Sequence, residues 1–207
     1  MLVEHVSMLK KENDFNIVIV GVGGQGLITI TKILAQAALI AGFDVKTSEL
    51  HGLSQRGGSV ETSLRLGPKV YSPLVRQGGA NLIISLEFQE ALKSCYYASK
   101  NSKTLFLVND FLKSIPGEIS PQKKKILKEL EKFSRKTIVI GASALCKKKI
   151  GKAILAGVYL ISLASFKNLI PLKPQFVLKA IKKIIPEKYL ELNLKTFKFA
   201  SESEAVK

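Results

Sequence analysis

Short runs of consecutive apolar residues alternate along this chain with longer stretches whose apolar residues recur at helical spacing. Runs such as Asn16–Val20 and Thr104–Val108 are typical of strands buried in a parallel sheet. Stretches such as Leu27–Ala41, which is followed by Gly42 as a helix cap, predict amphipathic helices. Strands that alternate with helices predict an α/β fold, with a mostly parallel open sheet and helices on both faces.

The predicted elements divide the chain into one domain with two short ends. The first strand, helix and second strand form a Rossmann-like β-loop-α-β unit, for which a right-handed parallel connection is expected. We assign a polar lead-in to residues 1–14, a single domain to 15–200 and a tail to 201–207, with a helical C-terminal region. The predicted strands are Asn16–Val20, Asp44–Leu50, Ser59–Leu66, Ala80–Leu86, Thr104–Val108 and Thr137–Ile140. The predicted helices are Leu27–Ala41, Gln89–Ser99, Gln122–Phe133, Lys152–Phe166 and Pro174–Ile185, with a helical or irregular stretch over Pro186–Lys198.

Composition narrows the class of protein. The 207 residues fit one domain, and the hydrophobic content of 46% is ample for a sizeable core. The two cysteines, Cys95 and Cys146, cannot supply the four thiolates of an iron–sulfur cluster, and they predict a reducing cytoplasm. No signal peptide is recognisable, and the apolar stretch Ala153–Ser165 is too short to span a bilayer. We therefore expect a cytoplasmic protein with no membrane contact.

The charge of the chain is concentrated in its second half. The formal net charge is +16, and residues 111–207 carry 21 basic and 7 acidic side chains. All but one of those basic residues are lysines, and they are dispersed along predicted helices rather than interleaved with arginines. This pattern favours solvated helix faces over a nucleic-acid surface, with an acidic partner as the alternative.

The first candidate site is a glycine-rich loop directly after the first predicted strand. Gly21, Gly23 and Gly26 match the pattern G-x-G-x-x-G, and Gly24 and Gln25 lie between them. Glycines allow a phosphate to approach the backbone, and the helix that follows would point free N–H groups at such an anion. The same glycines would also serve close packing of helix against strand. Glu49, at the end of the second strand, occupies the place of a ribose-binding acid in nicotinamide enzymes.

The second candidate site is the polar loop that follows the second predicted strand, an edge where open α/β sheets bind ligands. Its chemistry suits a carboxylate, a phosphate or a partner chain, since Arg56 can bind an anion through two hydrogen bonds. His51 is equally well explained as a ligand contact or as a structural histidine that forms a hydrogen bond in a turn. The loop residues that we assign to the substrate or to a partner are His51, Ser54, Gln55, Arg56, Gly57, Gly58 and Ser59.

Two further polar residues end predicted strands at the same edge of the sheet. Glu87 and Asn109 each follow an apolar run, and each is either a site residue or a helix or turn cap. No Ser-His-Asp arrangement is recognisable, so the catalytic residues stay unknown. With two histidines in the chain, one of them in the lead-in, a multi-histidine metal site is excluded.

Together the two loops resemble the gamma-type domain of the 2-oxoacid:ferredoxin oxidoreductases. The similarity extends over residues 15–200, and the His-Gly-x-Ser-Gln-Arg-Gly-Gly form favours the indolepyruvate branch, in which this domain is the small beta subunit. The chain departs from the family pattern at Asn81, where the pattern has aspartate. This difference affects only a local cap or polar contact. The matching residues are Gly21–Gly26, Glu49–Val60, Ser72-Pro73, Gly79–Ile84 with Glu87, and Asn193.

The resemblance implies an oxidative decarboxylation of arylpyruvates such as indolepyruvate to aryl-acetyl-CoA, with ferredoxin as electron acceptor. Thiamine diphosphate, magnesium and 4Fe-4S clusters are then expected on a larger alpha subunit, because this chain has neither the cysteines nor a Gly-Asp-Gly…Asn thiamine motif. The isolated chain is expected to be inactive, and without its partner an exposed alpha-binding surface could join two copies as a homodimer. CoA is the best candidate for a ligand of the first loop.

Two other hypotheses remain open at this point. A stand-alone NAD(P)-dependent dehydrogenase would use the first loop and Glu49, although the polar stretch from His51 to Ser59 does not belong to such a site. A non-catalytic module would dock an acidic partner, such as a ferredoxin, on the basic second half of the chain.

Overall fold

Residues 14–52, 57–99, 101, 104–113 and 121–203 are described by a computed structural model of the chain. These residues form a six-stranded sheet in the order β2-β3-β1-β4-β5-β6. β1, β4, β5 and β6 are parallel neighbours, so their carboxyl ends meet at one edge of the sheet. The strands are β1 Phe15–Val22, β2 Asp44–His51, β3 Ser59–Gly67, β4 Leu82–Ser85, β5 Leu105–Asn109 and β6 Lys136–Ile140.

The position of β3 distinguishes this sheet from that of a regular Rossmann unit, in which the first two strands are neighbours. β3 pairs antiparallel with β1 on one side and with β2 on the other, so β1 and β2 run in the same direction without touching. The predicted β-loop-α-β unit is therefore present, but a third strand fills the place between its two strands. The segment connecting β2 to β3 is short enough for them to pair as a hairpin, and the exposed edge of β1 accepts β3.

Helices flank the sheet on both sides, as the sequence predicts. The mainly parallel sheet and the helical C-terminal region confirm the expected α/β class. The helices among the described residues are α1 Leu27–Ile40, α2 Phe88–Lys93, α3 Lys123–Glu131, α4 Ala142–Ile150, α5 Ala156–Phe166, α6 Pro174–Ile184 and α7 Glu187–Ser201, with 3-10 turns at Ser94–Tyr97 and Ala153–Leu155.

Two apolar cores form on the two faces of the sheet because successive side chains of a strand point to opposite faces. Ile17 and Ile19 of β1 face the larger core, which contains α1, α5 and α6. Val18 and Val20 face the smaller core, which α2 and α3 cover. The continuous apolar run of β1 thus reflects burial on both sides, and it fixes the strand at the centre of the sheet.

One helix has no counterpart among the predicted elements. α4 covers Ala142–Ile150, a stretch that the predicted helix Lys152–Phe166 left out, and the start of that predicted helix is a 3-10 turn. Its sequence signal is weak because apolar periodicity is short, but Gly141 before it and Gly151 after it, with φ 84°, mark its ends. The predicted break at Pro116–Pro121 falls largely outside the described residues. Within the part of the chain that is described, no helix is both long and apolar enough to cross a membrane.

Candidate functional site

The two glycine loops lie side by side at the edge where the parallel strands end. The N–H of Gly23 donates a hydrogen bond to the carbonyl of Gly58, with an N···O distance of 2.9 Å. A side chain at Gly23 would place its Cβ 3.2 Å from the backbone nitrogen of Gly57, so this close approach favours glycine. The fold therefore joins two motifs that are distant in the sequence into one surface.

The N-terminus of α1 opens onto this surface. Gly26 caps the helix in the left-handed conformation, with φ 78°, and neither a side-chain cap nor an acidic residue is present in the first turn. The first N–H groups, of Leu27, Ile28 and Thr29, have no intrahelical acceptor and carry the positive end of the helix dipole. A Cβ at Gly24 or Gly26 would meet no described atom within 4 Å, so the space before the loop is open. Such a terminus can bind a phosphate or a carboxylate.

Gln25 ties the ends of two strands together through its side chain. Its Oε1 accepts a hydrogen bond from the N–H of Val22 at 2.8 Å, and its Nε2 donates to the carbonyl of Leu86 at 3.1 Å. Gly21 lies against this amide, because a Cβ there would be 2.5 Å from Oε1 of Gln25. Gln25 and Gly21, both predicted to bind a cofactor, therefore also build the frame that holds the loop.

The second loop is described at its two ends. His51 is the last residue of β2, where only its backbone is described, and Ser54, Gln55 and Arg56 lie outside the described residues. Their assignment to a ligand or a partner stays a prediction. Gly57 has a φ of 69°, in the left-handed region that favours glycine, and it lies at the sheet edge beside Gly23. The loop residues that are not described therefore connect His51 to Gly57, and both of these residues lie at the same edge of the sheet.

Side chains that the sequence did not single out hold the far end of this loop. The Nζ of Lys113 donates a hydrogen bond to the carbonyl of Gly57 at 3.2 Å. The hydroxyl of Ser59 donates to the carboxylate of the buried Glu90, which also pairs with Lys93 at 2.7 Å. The contacts of Lys113 with Gly57 and of Ser59 with Glu90 join residues far apart in the chain, and no local pattern in the sequence signals them.

Glu87 and Asn109 are buried and bonded within the protein. Glu87 is 1% exposed and caps α2 by accepting from the N–H of Glu90 at 3.0 Å, while its other oxygen accepts from the N–H of Lys113 at 2.9 Å. Asn109 donates to the carbonyl of Leu86 at 3.0 Å and also bonds Ser143. Of the two interpretations that the sequence left open, these contacts support that of a cap. Both side chains are buried, and their hydrogen bonds hold the backbone at the carboxyl ends of the parallel strands.

Replacing Glu87 by alanine should destabilise the fold. The buried N–H of Glu90 and the partly buried N–H of Lys113 would lose their acceptor, and a lost cap with an unsatisfied donor costs about 2–3 kcal/mol. We expect urea unfolding of the Glu87→Ala chain to report a loss of that size. The matched control is Glu131→Ala on the exposed end of α3, which should change stability by less than about 0.5 kcal/mol. Equal stability of the two variants would contradict the capping role of Glu87.

Glu49 does not occupy the place of a ribose-binding acid. It pairs with Thr62 of β3, which in turn pairs with Ile19 of β1. Glu49 is therefore two strand spacings, about 10 Å, from the first strand. In a dinucleotide site the acidic strand lies next to the glycine-loop strand. The inserted β3 thus argues against a regular nicotinamide site that uses Glu49.

Other residues of the resemblance lie at the opposite edge of the sheet and have structural roles. Oδ1 of Asn81 accepts a hydrogen bond from the N–H of Asn16 at 2.8 Å, a contact that the family's aspartate would also make. Ser63 and Arg65 of β3 donate to the carbonyls of Pro73 and Ser72, respectively, both at 3.0 Å. The departure at Asn81 therefore preserves the local polar contact.

A pocket of about 610 Å³ lies beside the first glycine loop, where α1 meets the C-terminal helices. We call it the C-terminal pocket. Its walls are mainly apolar, and its size is within the range of small-molecule sites. Among the described residues that line it, Lys152 has the only cationic side chain, and none is acidic. It is lined by Gln25, Gly26, Thr29, Ile30, Lys152, Ile154, Leu155, Val158, Ile185, Pro186, Tyr189, Leu192 and Asn193.

The two thiols are poorly suited to chemistry at neutral pH. Burial raises the pKa of Cys146 to about 11, and burial together with Glu129 raises the pKa of Cys95 to about 11, both from the ordinary value of 9.0. Among the described residues, no three His, Cys, Asp or Glu side chains come together as a metal site.

Both thiols should therefore resist alkylation in the folded chain. Because the thiolate reacts, a pKa raised by about two units makes reaction at pH 8 about a hundredfold slower than in the unfolded chain. We expect the iodoacetamide labelling rate of the folded chain to rise about tenfold for each pH unit from about 8 to 10. Labelling at pH 8 as fast in buffer as in urea would contradict this.

Lysines of the second half of the chain lie on exposed helix surfaces. α3 presents five of them on the outside of the smaller core: Lys123, Lys124, Lys125, Lys128 and Lys132, the last just beyond its end. Some are paired locally, as Lys123 is with Asp110 at 2.5 Å. This distribution agrees with solvated helix faces.

Comparison with known proteins identifies a family and a fold. Residues 16–203 match the family model of pyruvate ferredoxin/flavodoxin oxidoreductase. The chain is 38% identical over 189 residues to the indolepyruvate oxidoreductase subunit IorB of Archaeoglobus fulgidus, with 88% of this chain and 92% of the relative covered. The similarity therefore extends over nearly the full length of both chains, and it is a similarity of sequence and not of fold alone.

Two solved structures share the fold at lower identity. The gamma subunit of a keto/oxoacid ferredoxin oxidoreductase from Geobacter sulfurreducens has a TM-score of 0.66 and 22% identity, with 91% of this chain and 96% of that chain covered. The 2-oxoglutarate:ferredoxin oxidoreductase from Magnetococcus marinus, solved with 2-oxoglutarate, coenzyme A and succinyl-CoA bound, has a TM-score of 0.68 and 17% identity. The match covers 91% of this chain and 30% of that larger chain.

Proposed function

The chain belongs to the pyruvate ferredoxin/flavodoxin oxidoreductase family, and from this premise we propose that it is the small subunit of a ferredoxin-dependent 2-oxoacid oxidoreductase. The proposed substrates are arylpyruvates, above all indolepyruvate, the compound for which the Archaeoglobus relative is named. The proposed reaction releases CO₂, forms an aryl-acetyl-CoA and passes two electrons to ferredoxin. The proposed enzyme is a heteromer that includes a larger alpha subunit.

The observation that carries this proposal is the junction of the two glycine loops. The hydrogen bond between Gly23 and Gly58 unites them at the edge of the sheet where open α/β sheets bind ligands, and both loops belong to the motifs that carry the family resemblance. A regular dinucleotide site needs only the first loop. We therefore propose that the second loop contacts either the substrate or the alpha subunit.

CoA fits the first loop by its donor chemistry. Uncapped N–H groups of α1 and the open space before Gly24 and Gly26 would accommodate a phosphate group. The Magnetococcus protein with the same fold was solved with coenzyme A bound, which supports the choice of ligand. CoA would supply the thiol that accepts the acyl group, while this chain would bind and orient it.

Thiamine diphosphate and the iron–sulfur clusters are assigned to the alpha subunit. The two thiols of this chain are too few for a four-thiolate cluster, and both are protonated at neutral pH. Thiamine diphosphate would supply the electron sink for decarboxylation. The role of this chain is then to complete the active complex, and we expect it to be inactive alone.

Reconstitution tests the proposal directly. The chain is co-expressed with the large-subunit gene, and indolepyruvate-dependent reduction of ferredoxin is measured in the presence of CoA. We expect activity from the two subunits together and none from either alone. Full activity of the large subunit without this chain would overturn the proposal. Tight NAD(P)H binding with hydride transfer by the isolated chain would instead support the dehydrogenase, which the position of Glu49 disfavours.

A further inference from the structure

The C-terminal pocket contains one buried polar side chain that its own helix does not fully satisfy. Asn193 of α7 is 5% exposed, and its Nδ2 donates to the carbonyl of Tyr189 at 2.8 Å. No described residue donates a hydrogen bond to its Oδ1, and because no fully buried side-chain N or O atom of the described residues lacks a partner, this oxygen is open to the pocket. An acceptor in an apolar chamber favours a ligand that brings an N–H or O–H donor. Asn193 is also a residue of the family resemblance to which the proposed function gives no role.

The charges at the pocket favour an anion at one end. Lys152 lines it and is in none of the ion pairs found among the described residues, and the uncapped N-terminus of α1 reaches it through Gly26 and Thr29. Since no described lining residue is acidic, the local field is positive. A ligand with a negative group would therefore be attracted to the end of the pocket that adjoins the first glycine loop.

The walls between these polar groups suit a flat apolar body. Leu155 and Val158 are buried, and Ile154 and Tyr189 are 55% and 50% exposed. Aliphatic side chains with one tyrosine ring form surfaces on which an aromatic ring packs well. The volume of about 610 Å³ leaves room for a bicyclic ring with a short side chain.

We propose that the C-terminal pocket is a binding site for an indole-type aromatic acid. The ring would lie against the apolar walls, its N–H would donate to Oδ1 of Asn193, and its acidic side chain would face Lys152 and the N-terminus of α1. The identification of the ring as indole rests on the proposed function. The pocket would hold the arylpyruvate on the small subunit, apart from the chemistry on the alpha subunit.

Direct binding tests this site on the full-length chain. The chain has no tryptophan, so the indole fluorescence of indole-3-acetate, excited beyond the absorption of tyrosine, reports binding without background from this chain. We expect saturable binding that is at least about fivefold tighter than that of 1-methylindole-3-acetate, because methylation removes the ring donor. Failure of indole-3-acetate to bind to the chain alone and in the reconstituted complex would overturn the proposal, as would equal affinity for the two compounds.

Variants locate the site. Asn193→Leu should abolish the preference for the N–H compound, and Lys152→Gln should weaken indole-3-acetate binding about fivefold at low salt. Lys128→Gln on α3, on the other face of the sheet, is the matched control and should leave affinity unchanged. Val158→Phe, which fills the pocket, should prevent binding, and circular dichroism checks that each variant folds. Binding that survives Asn193→Leu and Val158→Phe unchanged would overturn the proposal.

CoA is the competing occupant, and its test separates the two proposals. If CoA binds to the chain and Val158→Phe removes that binding while indole-3-acetate never binds, the pocket belongs to the coenzyme and the aromatic-acid proposal is wrong. Indolepyruvate-dependent ferredoxin reduction by the complex would still uphold the proposed function. If indole-3-acetate binds to a complex that shows no such activity, the aromatic-acid site is upheld and the proposed function is wrong.

Discussion

Gly21→Ala is expected to destabilise the chain by about 2–3 kcal/mol, because the new methyl group would displace the Gln25 amide. The Cβ would lie 2.5 Å from Oε1 of Gln25 and 3.2 Å from side-chain atoms of both Leu27 and Leu86. Gln25 can move, but it would then release the N–H of Val22, which is 9% exposed. Urea unfolding of the full-length chain measures the loss.

A double-mutant cycle shows whether the amide is the cause. In the Gln25→Ala background, Gly21→Ala should cost much less, since the clash and the hydrogen bonds are already absent. The matched control is Gly141→Ala at the end of β6, where a Cβ would meet no atom of the described residues within 4 Å and φ is −72°. That substitution should change stability by less than about 0.5 kcal/mol. Equal costs of Gly21→Ala in both backgrounds would contradict the proposed cause.

Arg56→Ala is expected to lower 2-oxoacid oxidation by the reconstituted complex by more than about tenfold, because a guanidinium that binds an anion contributes charge and directed donors. Arg56 precedes Gly57, whose carbonyl Lys113 holds at the sheet edge beside Gly23. The residue itself lies outside the described part of the chain. Its position next to an anchored glycine supports a contact with substrate or with the alpha subunit.

Two further variants separate charge from geometry. Arg56→Lys keeps the charge without the paired donors, so it should recover part of the rate if charge matters and little if the bidentate contact does. Arg135→Ala is the matched control, because this exposed arginine precedes β6 at the opposite edge of the sheet. It should leave the rate unchanged. An unchanged rate for Arg56→Ala would remove Arg56 from the site.

The apolar runs in the sequence were sufficient to place strands and most helices. β1 and β5 were found because each consists of consecutive buried residues, and α1 because its apolar residues repeat at helical spacing. α4 was missed because a nine-residue helix with three consecutive lysines shows little periodicity. The glycine loops were recognisable from composition and spacing, which are properties of short segments.

The sequence by itself thus determined the elements, the class of fold and the family pattern of the two loops, because these depend on local periodicity and on residues close together in the chain. Tertiary structure decided that β3 separates β1 from Glu49, that Glu87 and Asn109 bond within the protein, and that Lys113 holds Gly57. It also formed the C-terminal pocket around Asn193. Each of these depends on contacts between segments far apart in sequence, which only packing and strand pairing select.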